Sequence, residues 1–168
     1  MKKLMMFWMV ALIALFQFAA GCKEDDENPS SARARTYTLG ELSGSGVSGS
    51  VTFTKVDAAT TRVAIALTGT SEGNTHPAHI HSGNASTGGP IVLDLNPVDG
   101  ATGKSETMVT ALNNGTAIVY EDLIAFDGHV NVHKSATELG VMIAQGNIGS
   151  NVSTPAPSPD TGGGNGGY

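Results

Sequence analysis

The chain has a single cysteine in 168 residues, so no disulfide can form within it. Charged residues make up only 14%, too few for long solvated helices, and aromatics only 5%, which rules out an aromatic-rich core. Lysine and arginine are outnumbered by aspartate and glutamate, nine to fifteen, for a net charge of −6. Loss of Lys2 and Lys3 with the first 21 residues would take this to −8. A basic surface able to neutralise a phosphate backbone is therefore lacking, and nucleic acid is excluded as a partner. The main apolar run, residues 4–16, falls short of the roughly 20 residues a membrane-spanning helix needs.

What is present is a basic start, Met1-Lys2-Lys3, the apolar run, and then Ala19-Ala20-Gly21-Cys22. This order is that of a signal peptide ending in small residues at a cleavage site. Without cleavage, the same run would remain as an anchor. The Cys22 context resembles a bacterial lipobox, with Ala19 where leucine is usual. That resemblance implies lipidation of Cys22, which becomes the mature N-terminus and attaches the chain to a membrane. Lys23-Glu-Asp-Asp-Glu27 is a self-repelling run that reads as a solvated spacer. It also resembles the surface-export signal of some gram-negative lipoproteins, and Lys23 is not the aspartate that commonly marks inner-membrane retention. The expected address is the outer membrane, facing outward. The expected organisation is a signal peptide over 1–21, a polar tether over 22–35, a β domain over 36–150, and a tail over 151–168. That tail is rich in proline and glycine, offers nothing to bury, and is expected to be disordered.

The middle of the chain is punctuated by turn residues about every ten positions. Strands are expected over 37–42, 50–56, 62–68, 91–95, 104–112, 128–133 and 141–148, from β-branched residues alternating with polar ones. A short strand is expected over 78–81, starting after Pro77 because proline cannot donate to a ladder, and 96–100 reads as a turn. Residues 116–126 fit a helical stripe as well as a strand, and of the two a short helical turn over 120–124 is the expectation. The fold class is all-β: an antiparallel Greek-key β-sandwich or partly closed barrel with at most one short helical turn.

All five histidines fall in two segments, Asn74-Thr-His-Pro-Ala-His-Ile-His-Ser-Gly83 and Gly128-His-Val-Asn-Val-His133. Residues two apart on a strand share a face. His79 and His81 therefore oppose Ile80, and His129, Asn131 and His133 oppose Val130 and Val132. The apolar residues belong to the core, which puts the histidines on the outer face or under a covering loop. Should the two strands be neighbours, up to four imidazoles converge. Such a set suits zinc or copper, with His76 as an extra ligand on a loop. Asp94, Asp127 and Glu138 are further oxygen donors with no sequence link to the cluster. The other reading is structural, with each imidazole hydrogen-bonded to loop backbone.

Ala78-His-Ile-His-Ser-Gly83 with Gly89-Pro-Ile-Val92, followed by Gly128-His-Val-Asn-Val-His133 and Gln145-Gly146, resembles the CHRD domain family. The match covers most of 36–148. The usual acid and arginine of the last strand are missing between Gly140 and Gly146, and His129 stands where an aromatic is more usual. The resemblance implies a β-sandwich acting as a binding or interaction module for an unknown extracellular ligand or protein, with no catalytic activity expected. The alternative is a copper- or zinc-binding protein using His79, His81, His129 and His133, with chemistry of the superoxide dismutase kind. Against the latter, the dismutase cysteines and a matching set of bridging histidine, zinc aspartate and active-site arginine are missing. Replacing Cys22 by serine should abolish incorporation of labelled fatty acid and release the domain from the membrane fraction; unchanged membrane association would indicate an uncleaved anchor instead.

Overall fold

The computed structural model describes residues 33–152, so the expected signal peptide, Cys22, nearly all of the expected tether and residues 153–168 of the expected tail lie outside the described residues. Eight antiparallel strands and one short helix follow in chain order. They are β1 (Ala34–Glu41), β2 (Ser48–Lys55), β3 (Thr61–Thr68), β4 (Thr75–Ser82), β5 (Ile91–Asp99), β6 (Lys104–Val109), α1 (Tyr120–Ala125), β7 (Asp127–His133) and β8 (Met142–Gly149). They close a barrel in the order β1-β2-β3-β6-β5-β4-β7-β8. Three consecutive strands, β4 to β6, with β7 returning to lie beside β4, form the Greek key.

Closure is uneven. β2 and β3 pair along their whole lengths, whereas β5 and β6 share one register pair, Asp99 with Lys104. The rest of that junction is held by the Asn96 side chain, which donates to the Glu106 carbonyl at 2.6 Å while its backbone N–H donates to Thr107 at 2.8 Å. β1 and β8 share two register pairs, Gly40 with Gln145 and Glu41 with Ala144. The barrel is thus two four-stranded leaves joined along two thin seams, which is why barrel and sandwich both describe it. Where β1 and β8 diverge, Arg35, Tyr37, Asn147 and Val152 line a cavity of about 340 Å³.

The interior follows from alternation. Val51 and Phe53 on β2, Val63 and Ile65 on β3, Ile80 on β4, and Val130 and Val132 on β7 are all at most 2% exposed. Helix α1 turns Tyr120 and Leu123 inward. Its start is fixed by Asp122, whose carboxylate accepts from the Val119 N–H at 3.2 Å.

Two sequence expectations about proline are corrected. β4 does not begin after Pro77 but at Thr75, and 96–100 is not a turn, since β5 runs through Pro97 to Asp99. Both prolines sit in one irregularity, where the register jumps from His76–Val98 to Ala78–Leu95. A bulge is a place where a missing N–H breaks no ladder bond, so the two prolines are tolerated together. β6 ends at Val109 instead of 112. β1 begins at Ala34, and Val152 packs against the core, so the folded part extends slightly beyond 36–150.

At the β1–β8 seam, a Cβ on Gly146 would stand 2.0 Å from the Thr38 carbonyl oxygen. Gly146→Ala should therefore push the leaves apart and cost about 1–3 kcal/mol, the usual range for overpacking. Urea unfolding of the two proteins checks it; an unchanged midpoint would mean the seam gives way freely.

Candidate functional site

β4 and β7 are neighbours, with Ile80 opposite Val130, His81 opposite His129 and His79 opposite Asn131. Directly opposed residues on adjacent strands share a face. The inward partners Ile80, Val130 and Val132 are fully buried. The outward set is therefore His79, His81, His129, Asn131 and His133. It does not face open water: His129, Asn131 and His133 are 1%, 5% and 6% exposed.

The cover over part of this face is the β4–β5 loop, residues 83–90. Positive φ angles at Gly83 and Gly88 fold it back, and at Gly89 a Cβ would stand 1.9 Å from the Ser82 carbonyl oxygen. The Gly83 N–H donates to Asp127 at 2.9 Å, and the Ala85 N–H donates to the Asn147 side chain at 2.8 Å. Two loop carbonyls then receive imidazole N–H groups. His81 Nδ1 donates to Gly89 at 2.9 Å, and His129 Nδ1 donates to Gly83 at 2.8 Å. A carbonyl can only accept, so both rings carry their proton on Nδ1 and present a lone pair at Nε2.

Three rings converge. One donor nitrogen each from His79, His81 and His133 lies within 4.8 Å of the other two. Ring centroids are 5.0 Å apart for His79–His133, 6.0 Å for His79–His81 and 6.4 Å for His81–His133. Nitrogens 2.0–2.1 Å from one tetrahedral ion would be about 3.4 Å apart, so small inward rotations complete the geometry. His129 stands outside the triad, stacked on His81 at 5.0 Å with the rings 19° from parallel. The four-histidine set expected from the sequence thus becomes three ligand candidates and one supporting ring.

His76 is placed elsewhere. It lies within β4 instead of on a loop, is 4% exposed, and its Nδ1 donates to the carbonyls of Lys134 at 2.9 Å and His133 at 3.2 Å. It holds the chain just beyond His133 in place. Of the carboxylates, Asp94 alone reaches a triad ring, at 3.7 Å from His79 Nε2. Asp127 accepts from Asn151 at 2.6 Å, and Glu138 pairs with Lys134 at 2.9 Å.

The donor set suits a transition metal. His79 Nδ1, His81 Nε2 and both nitrogens of His133 are buried without a hydrogen-bond partner. A buried polar atom left so costs about 1–3 kcal/mol, and an ion shared by the three rings would remove that penalty. The Gly89 carbonyl on His81 Nδ1 orients that ring in the way metal-binding imidazoles are oriented, whereas the Asp94 carboxylate stands 3.7 Å from His79 Nε2, beyond hydrogen-bond length. A separate cavity of about 310 Å³, lined by His76, Lys134 and Ile143 among others, includes none of the three rings.

Burial sets the charge state. It lowers the pKa of His79, His129 and His133 below the ordinary value, and repulsion from neighbouring imidazoles adds to it. Asp94 opposes the shift at His79, as does the Gly83 carbonyl at His129. The Leu139 carbonyl opposes it at His133, approaching without full hydrogen-bond geometry. Neutral imidazoles are the metal-binding form.

The structural reading of the histidines, donation to loop backbone, holds for His81 and His129, but the particular acceptors Gly89 and Gly83 were not legible, because no local pattern encodes which backbone oxygens a folded-back loop presents. The family model of the CHRD domain matches residues 40–160. Comparison with curated proteins gives no match.

The lowered pKa values make stability depend on pH. In the unfolded chain these histidines take up protons near their ordinary value of about 6.5. The folded form takes them up only at lower pH, so stability is lost as pH falls from about 6.5 through the folded values. The urea midpoint of the metal-free protein should drop between about pH 7.5 and about pH 5, and His133→Gln should flatten that drop. A midpoint independent of pH would contradict the burial of these rings.

Proposed function

The chain belongs to the CHRD domain family, and from that premise we propose that it is a lipid-anchored, extracytoplasmic binding module whose histidine face takes up a zinc or copper ion. The observation that carries the reading is the triad of His79, His81 and His133, whose donor nitrogens lie within 4.8 Å of one another with buried, unpartnered lone pairs. The lipobox-like Cys22 context supports attachment to the outer membrane, and the acidic run after it supports an outward-facing position. The function is capture of the ion, with the Gly89 carbonyl orienting His81 and the Asp94 carboxylate 3.7 Å from His79 Nε2.

A second reading is retention of an extracellular protein or matrix component by the same face. It is favoured by the exposed apolar side chains at its margin. Ile91 stands opposite His81, and Leu139 and Val141 lie on the loop that follows His133. Loss of surface attachment on deleting the domain, with metal uptake unaffected by His81→Ala, would favour this reading over the first.

Purified metal-free protein should bind one zinc or copper ion near neutral pH, read by elemental analysis and competitive titration. His81→Ala combined with His133→Ala should abolish binding, while His129→Ala should weaken it about 10–100-fold, as loss of an orienting neighbour does. Binding unchanged in the double variant would eliminate the site.

A further inference from the structure

Met142 lies opposite His133 in the register between β8 and β7. This pairing depends on a bulge. Val132 is opposite Ala144, yet the next pair is His133 with Met142, so Ile143 is an extra residue in β8. In an unbulged ladder Ile143 would face His133. The bulge turns Ile143 into the interior, where it is 5% exposed, and brings Met142 alongside His133. Bulges that re-aim one side chain are concentrated beside functional sites.

Met142 is half-buried, yet it is absent from the hydrophobic core and from the side chains packed against it. Its thioether instead sits in the polar layer of the histidine face. Gln145 Nε2 lies 3.8 Å from Met142 Sδ and also donates to Asn131 Oδ1 at 2.8 Å. Asn131 is the residue between His129 and His133 on that same face. An amide that bridges Asn131 and the sulfur holds the thioether next to the triad. Directly opposed side chains have Cβ atoms about 4.5–5.5 Å apart, which puts the flexible methionine within reach of an ion held by His133.

From this placement we propose that Met142 is the fourth ligand of the triad and that the site is selective for copper(I) over zinc. The proposal rests on the metal-binding reading of His79, His81 and His133. Thioether sulfur is a soft donor that stabilises copper(I) and adds little for zinc, which takes thiolate, imidazole or carboxylate. Three neutral imidazoles and a thioether bring no negative charge to the ion, and the Asp94 carboxylate stays 3.7 Å from His79 Nε2. A monovalent soft ion suits that uncharged set better than a divalent one does.

The test uses the full mature chain and its Met142→Leu variant, a swap that conserves volume and is checked by circular dichroism and thermal unfolding. Copper(I) affinity is read against a copper(I) chelator under ascorbate, zinc affinity against a zinc chromophore, and the copper(I) shell by X-ray absorption. The expected result is one copper(I) per chain, a sulfur scatterer lost in the variant, and copper(I) affinity reduced at least about tenfold, the low end of the loss seen when an orienting neighbour goes. Zinc affinity should be unchanged by the substitution. Equal copper(I) affinity in the two proteins, or a nitrogen-only shell in the parent, would overturn the role of Met142 while leaving the triad standing. Binding of neither ion by the parent would overturn the triad reading, and this proposal with it.

Discussion

Everything at the histidine face depends on the pairing of β4 with β7. In that register His81 meets His129 and His79 meets Asn131. Side-chain period in a strand is two, so a slip of one residue would send His129 and His133 into the barrel and turn Val130 and Val132 out. The core forbids the slip, because Ile80, Val130 and Val132 are buried completely. Apolar burial thus fixes the register, and the register fixes which imidazoles meet. The site has no separate scaffold; it is the reverse side of the core.

The second constraint is the disposal of the ring N–H groups. A face with three side chains at 6% exposure or less must satisfy or leave unsatisfied every polar atom on it. Gly83 and Gly89 accept one proton each, and both belong to a loop that closely spaced glycines allow to fold back. With Nδ1 so engaged, the remaining lone pairs of His81 and His129 have their direction set before any ion arrives. Structural hydrogen bonding and metal binding are therefore complementary: one nitrogen of a ring serves the loop and the other serves the cluster.

The strand alternation of 50–56, 62–68 and 128–133 was legible in the sequence because β-branched residues recur at every second position. The two-part histidine pattern was equally visible, whereas 116–126 fitted a strand as well as the helix that α1 proves to be. The sequence did not show that Pro77 and Pro97 share one bulge. A proline argues locally for a strand end, and only the paired strand reveals that its absent N–H has nothing to bind. It also did not show which three of five imidazoles converge. That choice rests on the register of β7 against β4, which is not a property of spacing, and on β4 beginning at Thr75, which puts His76 on the opposite face of the strand from His79 and His81. Met142 escaped for the same reason, since the extra residue Ile143 that re-aims it is defined only by the strand opposite.

The uneven closure of the barrel has a mechanical side. β1, β2, β3 and β6 form one leaf, and β5, β4, β7 and β8 the other, with a single register pair across one junction and two across the other. Every histidine, together with Asp94 and Met142, belongs to the second leaf or to its loops. A molecule that flexes does so where it is least stitched, so strain entering through β1 would open the hinges between the leaves and spend itself there. The distances among His79, His81 and His133 would ride unaltered on a single rigid plate.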